Sequence, residues 1–398
     1  MTPRNCLLAL AATLCLTATA RLNTARMTLH AQRQMENMVA SIPRIGLDNP
    51  CTLLPDSTIQ YISPQDWRSG FFPGSLWYMY ELTGDNKWKS VAQEYCRYLT
   101  VLKDFKGHHD VGFMVGCSIG NGLRITGKQT YKNVMVQAAR SLCTRFRPHL
   151  GVIQSWNLNK QLRDKGCQCL VIIDNLMNLE LLYEATRLTG DSSFHQMAVS
   201  HMEHTLKNHF RPDGSCYHLV DYDTLQGGVH RKITWQGLTD SSAWARGQAW
   251  AIYGMTLSYR YTQDARCLEQ ALKTFRFMKH HPHMPKDGVP YWDMDAYGSL
   301  EPRDASAAAI IASALLELED YTTGKTAQEC HRYACKILKS LAGPDYTAAN
   351  GRNGNFLLMH SVSHKTAGIE VDVPINYADY YYLEALVRLK SRKLRRND

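Results

Sequence analysis

No stretch of this 398-residue chain is apolar for long enough to cross a bilayer; the longest candidate, Cys6 to Leu16, falls well short of the roughly twenty residues a spanning helix needs. There is no glycine loop of the kind that cradles phosphates and no nucleic-acid module. The close cysteine pair Cys167 and Cys169 in "GCQC" has no partner pair at zinc spacing. The twelve cysteines are irregularly spaced, in a chain long enough to build a core without staples. These absences exclude a membrane protein, a nucleotide-phosphate enzyme and a zinc-scaffolded fold. Any catalysis is expected to run without a cofactor or metal, and neither nucleic acid nor membrane is an expected partner.

The charge is +9, but Arg388, Lys390, Arg392, Lys393, Arg395 and Arg396 crowd the last eleven residues. They read as a solvated tail rather than a nucleic-acid site. At the other end, residues 1–20 carry one arginine, an apolar centre and the small-x-small end Ala18-Thr19-Ala20. That pattern is a secretory signal peptide, with cleavage expected before Arg21 and export, to the periplasm, of one domain spanning 21–398.

What the chain does have is a recurring turn. Thr83-Gly84, Thr126-Gly127, Thr189-Gly190 and Thr323-Gly324 each separate two amphipathic stretches, and a fifth copy has Gln263 after Thr262. A glycine there supplies a left-handed helix end, and the polar residue beyond it opens the next helix. The copies recur roughly every 40 to 75 residues, a spacing suited to helical hairpins. Five hairpins plus a first helix near 23–41 and a last near 377–390 make twelve helices. The expected fold is therefore an (α/α)6 barrel, all-α, with apolar inner helices and long loops at the mouth.

Candidate chemistry sits at the starts of the apolar helices. Asp174 opens "IDNLMNLELLYEA", where it serves either as a capping residue or as an acid facing the cleft. Asp110, after His108 and His109, and Asp304 in "RDASAAAIIASALLEL" are also placed to cap. In "DSSAWARGQAWAIYG", Arg246 and Trp250 lie four apart on one helix face. They suit an acidic sugar, the arginine gripping its carboxylate and the indole its ring, or else Arg246 pairs with a core acid and the tryptophan packs.

"WRSGFFPGSLWYMYE", "HDVGFM", "IDNLMNLELLYEA", "DSSAWARGQAWAIYG" and "RDASAAAIIASALLEL", in this order from Trp67 to Leu386, resemble the unsaturated glucuronyl hydrolases of glycoside hydrolase family 88. The resemblance implies the same (α/α)6 barrel. It also implies removal of a Δ4,5-unsaturated uronic acid from the non-reducing end of lyase-generated, glycosaminoglycan-type oligosaccharides by hydration of the C4=C5 double bond. On it, Asp174 matches the general acid/base and Asp110 the second essential carboxylate. His218, Gln236, Arg246 and Trp250 match the unsaturated-sugar subsite, and Trp67 and Trp156 match ring-stacking positions. Trp235 stands where some members have histidine. "HSVSHKTAG" (360–368) falls where some members bind sulfate, which makes Ser363 and Lys365 candidates there, a polar surface loop being the alternative. Three other readings are an unsaturated rhamnogalacturonyl hydrolase acting on pectin fragments, a conventional inverting glycosidase, and a non-catalytic toroid that binds acidic sugars.

Overall fold

The computed structural model describes residues 22–395, so the leader expected over 1–20 lies outside the described residues. Thirteen α-helices and one π-helix are present there: α1 (Thr24–Ser41), α2 (Phe71–Thr83), α3 (Asn86–Leu99), the π-helix (Gly112–Gly120) running into α4 (Asn121–Thr126), α5 (Gln129–Cys143), the short α6 (Lys160–Asp164), α7 (Asn175–Thr189), α8 (Ser192–Asn208), α9 (Ala245–Thr262), α10 (Ala265–His280), α11 (Ala305–Leu318), α12 (Gly324–Leu341) and α13 (Asn376–Arg395).

Composition sorts them into two rings. Every residue of α11, "ASAAAIIASALLEL", is buried, whereas α12 buries only a stripe at helical spacing, Cys330, Tyr333, Ala334, Ile337, Leu338 and Leu341. A helix buried all round belongs inside and a one-striped helix outside. The inner ring is α2, the π-helix with α4, α7, α9, α11 and α13, each packed on the next, and α13 returns to α2. The outer ring is α1, α3, α5, α8, α10 and α12. This is the (α/α)6 barrel.

The turns explain the pairing. Gly84, Gly127 and Gly190 end α2, α4 and α7 in the left-handed conformation. Gln263 does the same for α9 at φ 55°, so the copy without glycine keeps the geometry at some cost in strain. Asp85, Asp191 and Asp264 then cap the outer helices α3, α8 and α10 with their side chains. The fourth Thr-Gly departs from expectation. Gly324 is the first residue of α12, because a 3-10 turn at Glu319–Tyr321 already ends the inner helix.

The basic C-terminal segment also differs from a solvated tail. Arg388 is bonded to Glu317 (2.5 Å) and lies 3.5 Å from Glu384. Arg392 pairs with Glu319 and Asp320 at 3.2 and 2.7 Å, and Lys390 donates to the carbonyls that end α2. Over these residues the positive charge is internal mortar of α13. Cys51, Cys96, Cys117, Cys143, Cys167, Cys169, Cys216, Cys267 and Cys330 are free thiols.

Short antiparallel strands occupy the loops that lead into the inner helices: β1 (Asn49–Leu53) with β2 (Ile59–Ile62), β3 (Phe146–Arg147) with β4 (Val152–Ile153), β5 (Cys169–Ile172) with β6 (Leu219–Tyr222) and β7 (Val229–Ile233), and β8 (Ser361–His364) with β9 (Ile369–Val373). They decorate the mouth at which the inner helices begin.

The π-helix brings its neighbours unusually close. A Cβ on Gly112 would stand 2.6 Å from the Cα of Asn178 on α7, so the two inner helices touch backbone to side chain only because glycine is there. Gly112→Ala is expected to cost about 1–3 kcal/mol, as overpacked cores do. It should lower activity as well, since Asp110 sits two residues away; thermal melting and turnover of the variant check both.

Candidate active site

At the mouth formed by the inner-helix starts lies a cavity of about 310 Å³, lined among others by Trp67, Asp110, Trp156, Asp174, Gln236, Arg246 and Ser363. Seven of the ten residues singled out in the sequence thus converge on one wall. A larger cavity of about 880 Å³ opens at the other ends of the same helices. Its buried acids are already bonded: Glu317 to Arg260 and Arg388, and Glu384 to Tyr78, Tyr253 and Ser313. Among the described residues no free acid is held there, and the chemistry belongs to the smaller cavity.

Asp174 decides this. It follows the apolar strand β5 and Ile173, and its side chain makes no capping bond to α7. The capping role expected from its position is therefore corrected: its Oδ2 is buried without a hydrogen-bond partner. Burial raises its pKa to about 7; the Asp110 charge also pushes it up, against the pull of Arg246 and, least of all, the Trp250 indole. A carboxyl so placed is protonated for about half the time near neutrality, and it can give or take a proton there.

Asp110 does not cap either. The π-helix begins after Val111 without a side-chain cap. The Asp110 carboxyl lies 3.0 Å from His108 Nδ1 and 3.3 Å from His109 Nε2. Burial acts to raise its pKa, but the two histidines and Arg145 outweigh that and hold it below the usual carboxylate range. His109 is driven by burial down to about 4 and is neutral, whereas the Asp110 carboxylate holds His108 up against the effect of burial. The two acids in the wall are thus pushed apart, one anionic and one protonatable, a pattern that assigns them different tasks.

The two amides that follow Asp174 are braces. Asn175 donates to the carbonyl of Ile153 (2.7 Å), and Asn178 Oδ1 accepts from the backbone N–H of Phe113 (3.0 Å). They tie β4 and the π-helix to the start of α7, which fixes Asp110 and Asp174 on one rigid frame.

Arg246 lines the cavity with its guanidinium already engaged. It donates to the carbonyls of Val362 and, at 2.8 Å, Ser363, and stands 3.5 Å from Asp304. Asp304 does cap α11, through Oδ1, and presents its other oxygen to the arginine. The pairing with a core acid is therefore realised, and Arg246 is correspondingly less free to grip a ligand with two prongs. Gln236 donates to the same Ser363 carbonyl at 2.9 Å, so the β8–β9 hairpin is latched over the site twice.

Three expected wall residues lie elsewhere. Trp250 is fully buried behind the acid, packed on Phe113 and Tyr381. His218 sits beneath the Trp235–Gln236 loop, its Nδ1 accepting from the N–H groups of Trp235 (3.0 Å) and Gln236 (3.2 Å). Those donors place the ring proton on Nε2, which is buried without a partner. Both residues are positioning groups rather than wall. Lys365 turns away, its Nζ 3.8 Å from Glu301 and over the Trp292 ring. The sulfate role expected of it is not supported, because long-range packing of the loop carries it to another partner.

The wall also contains Arg68, Ile172, Trp235, His364, Ile369 and Glu370, which the sequence reading did not propose as site residues. Arg68 adjoins Trp67 in a stretch already singled out, so adjacency could have found it. Glu370 meets Arg68 across a separation of 302 residues and carries no local signal.

No protein-family profile matches the chain. It is 47% identical over 337 residues to the unsaturated glucuronyl hydrolase of Formosa agariphila, covering 84% of this chain and 82% of that one. To the unsaturated chondroitin disaccharide hydrolase of Streptococcus pyogenes serotype M1 it is 33% identical, over 86% and 85% of the two chains. Its fold is similar to the crystal structure of an unsaturated glucuronyl hydrolase specific for heparin, with TM-score 0.89, 43% identity and coverage of 93% and 98%. With the barrel, the paired acids at its mouth and identity sustained over most of both chains, this protein belongs to the unsaturated glucuronyl hydrolases, glycoside hydrolase family 88.

Proposed function

We propose that the protein removes the Δ4,5-unsaturated uronic acid from the non-reducing end of glycosaminoglycan-derived oligosaccharides by hydrating its C4=C5 bond. The observation that carries this is the Asp174 carboxyl in the cavity wall, its Oδ2 buried without a partner and its pKa raised to about 7. Its proton goes to C4, and charge develops at C5 beside the ring oxygen. A water adds at C5 and returns a proton to the Asp174 carboxylate, which has become the base. The hemiketal then opens, the anomeric bond breaks, and the saturated sugar leaves.

Asp110, anionic in the same wall, adds to the burial that raises the Asp174 pKa and stabilises positive charge near C5. Trp67, Trp156 and Trp235 offer flat apolar faces to the sugar rings. Similarity to a heparin-specific relative at 43% identity, above that to the chondroitin enzyme at 33%, favours heparin-type disaccharides.

The reading includes export of one catalytic domain after cleavage of residues 1–20, for which the leader-like sequence is the support. Amino-terminal sequencing of protein recovered from the periplasmic fraction should begin at Arg21. For the activity, ultraviolet absorbance of the conjugated double bond is followed on unsaturated disaccharides from heparin, chondroitin, hyaluronan and rhamnogalacturonan. Fastest loss on the heparin disaccharide is expected. Fastest loss on rhamnogalacturonan would move the protein to pectin breakdown, and no loss on any of the four would overturn the hydration chemistry.

A further inference from the structure

One charged cluster in the cavity wall has no task in the reaction. Arg68, 8% exposed, is gripped by two carboxylates from opposite directions. Asp66, two residues before it, accepts from Nε (3.0 Å) and Nη2 (2.9 Å) and also from the Arg68 backbone N–H (2.9 Å). That local clamp orients the guanidinium by itself. Glu370 takes the remaining prong, both its oxygens within 2.5 and 2.7 Å of Nη1. Of the three, Arg68 and Glu370 line the cavity and Asp66 does not.

Glu370 lies on β9, in the hairpin latched over the site by Arg246 and Gln236. Its backbone is left-handed at φ 49°, as are those of His360 (62°) and Asp372 (60°) at the hairpin base. Non-glycine residues hold that conformation only where surrounding contacts impose it. The pair with Arg68 is one such contact. With Asp66 alone the cluster would be neutral; Glu370 makes it net negative in a cavity meant for an anionic sugar.

We propose that Arg68 is a second anion-binding point of this cavity, suited to a sulfate or further carboxylate on the sugar, and that Glu370 is the specificity-determining residue that covers it. A ligand oxyanion would take over the bonds that Nη1 of Arg68 now gives Glu370. An uncovered Arg68 would favour substrates with an extra anion, and a covered one disfavours them by occupancy and by charge. This rests on the reading of the cavity as an unsaturated-uronide site.

The test compares kcat/KM on a sulfated and an unsulfated disaccharide of the same backbone, for the parent, for Glu370→Gln, and for Glu370→Gln with Arg68→Gln. The ratio of sulfated to unsulfated kcat/KM is expected to rise about tenfold in Glu370→Gln, through KM, and to fall back in the double variant. A ratio unchanged in Glu370→Gln, or a rise that survives loss of Arg68, overturns the proposal. Binding of both disaccharides to Asp174→Asn forms of the same three proteins, by calorimetry, should show the same ratio, which a purely structural ion pair would not move. If the parent hydrates no unsaturated sugar, the function reading fails. Inorganic sulfate then decides separately: thermal protection in Glu370→Gln greater than in the parent supports the Arg68 site, and equal protection overturns it.

Discussion

Asp174→Asn is expected to lower kcat on an unsaturated uronyl disaccharide by about a thousand-fold, in the middle of the range lost with a general acid/base, while leaving the dissociation constant nearly unchanged. The amide has the shape of the carboxyl but has no proton to give C4. Binding survives because the tryptophans and the latched hairpin that form the wall are untouched. A non-catalytic sugar-binding toroid would be indifferent to the change. The parent should also lose kcat as the pH rises through about 7, because the protonated form of Asp174 is the acid.

The same residue makes a stability prediction of opposite sign. The folded-state pKa of Asp174 is raised, so the native state holds a proton that the unfolded chain releases above the ordinary carboxyl pKa. Stability is therefore fully present below about pH 4 and is lost as the pH climbs to about 7. The total is on the order of 4 kcal/mol at most, before any relaxation around the acid. Asp174→Asn, neutral at every pH, should melt above the parent at pH 8 and close to it at pH 4. Equal melting temperatures at pH 8 would mean that the carboxyl is not strained by burial. Together the two results would show stability given up for an acid in an apolar setting.

Asp110→Asn is expected to lower kcat by about a hundred-fold and to change the pH profile in a defined direction. The Asp110 carboxylate is one of the groups that raise Asp174. With that charge gone, the alkaline limb of the kcat profile should move to lower pH, because Asp174 releases its proton earlier. The pH dependence of kcat between 5 and 9, for parent and variant, checks this. A limb that stays near pH 7 with kcat still depressed would mean that Asp110 touches the reaction without acting through Asp174.

Much of this was legible in the sequence because the signals are local. A left-handed turn between amphipathic stretches needs only four or five residues, and it was readable even at Gln263, where the glycine is missing. The fourth Thr-Gly reads as a helix end like the others, whereas the 3-10 turn at Glu319–Tyr321 ends α11 without a comparable local signal. The π-helix was hidden for a similar reason, as its wide turn depends on Gly112 meeting Asn178 from another hairpin.

At the site, residue types were legible and relations were not. Asp174 at a helix start looks the same whether it caps or reacts. What separates the two is burial, together with Arg246, Asp110 and Trp250 beside the carboxyl, all set by distant packing. Arg246 similarly offered a ligand clamp or a core pair, and the answer lies with Asp304 and with carbonyls more than a hundred residues away. His218 and Trp250 are expected to line the sugar subsite, and the fold places them one layer behind the wall. The basic segment of α13 reads as a solvated tail because its acidic partners, Glu317, Glu319 and Asp320, come from a different hairpin.

The most direct test of the central claim is a single-turnover experiment with excess enzyme on an unsaturated heparin disaccharide. The absorbance of the C4=C5 bond and the release of the saturated sugar are followed together in the parent and in Asp174→Asn. Hydration by Asp174 predicts that absorbance disappears no later than sugar is released in the parent, and that both stop in the variant although the disaccharide is bound. Release of sugar before the absorbance falls, or undiminished loss of absorbance in Asp174→Asn, would contradict it.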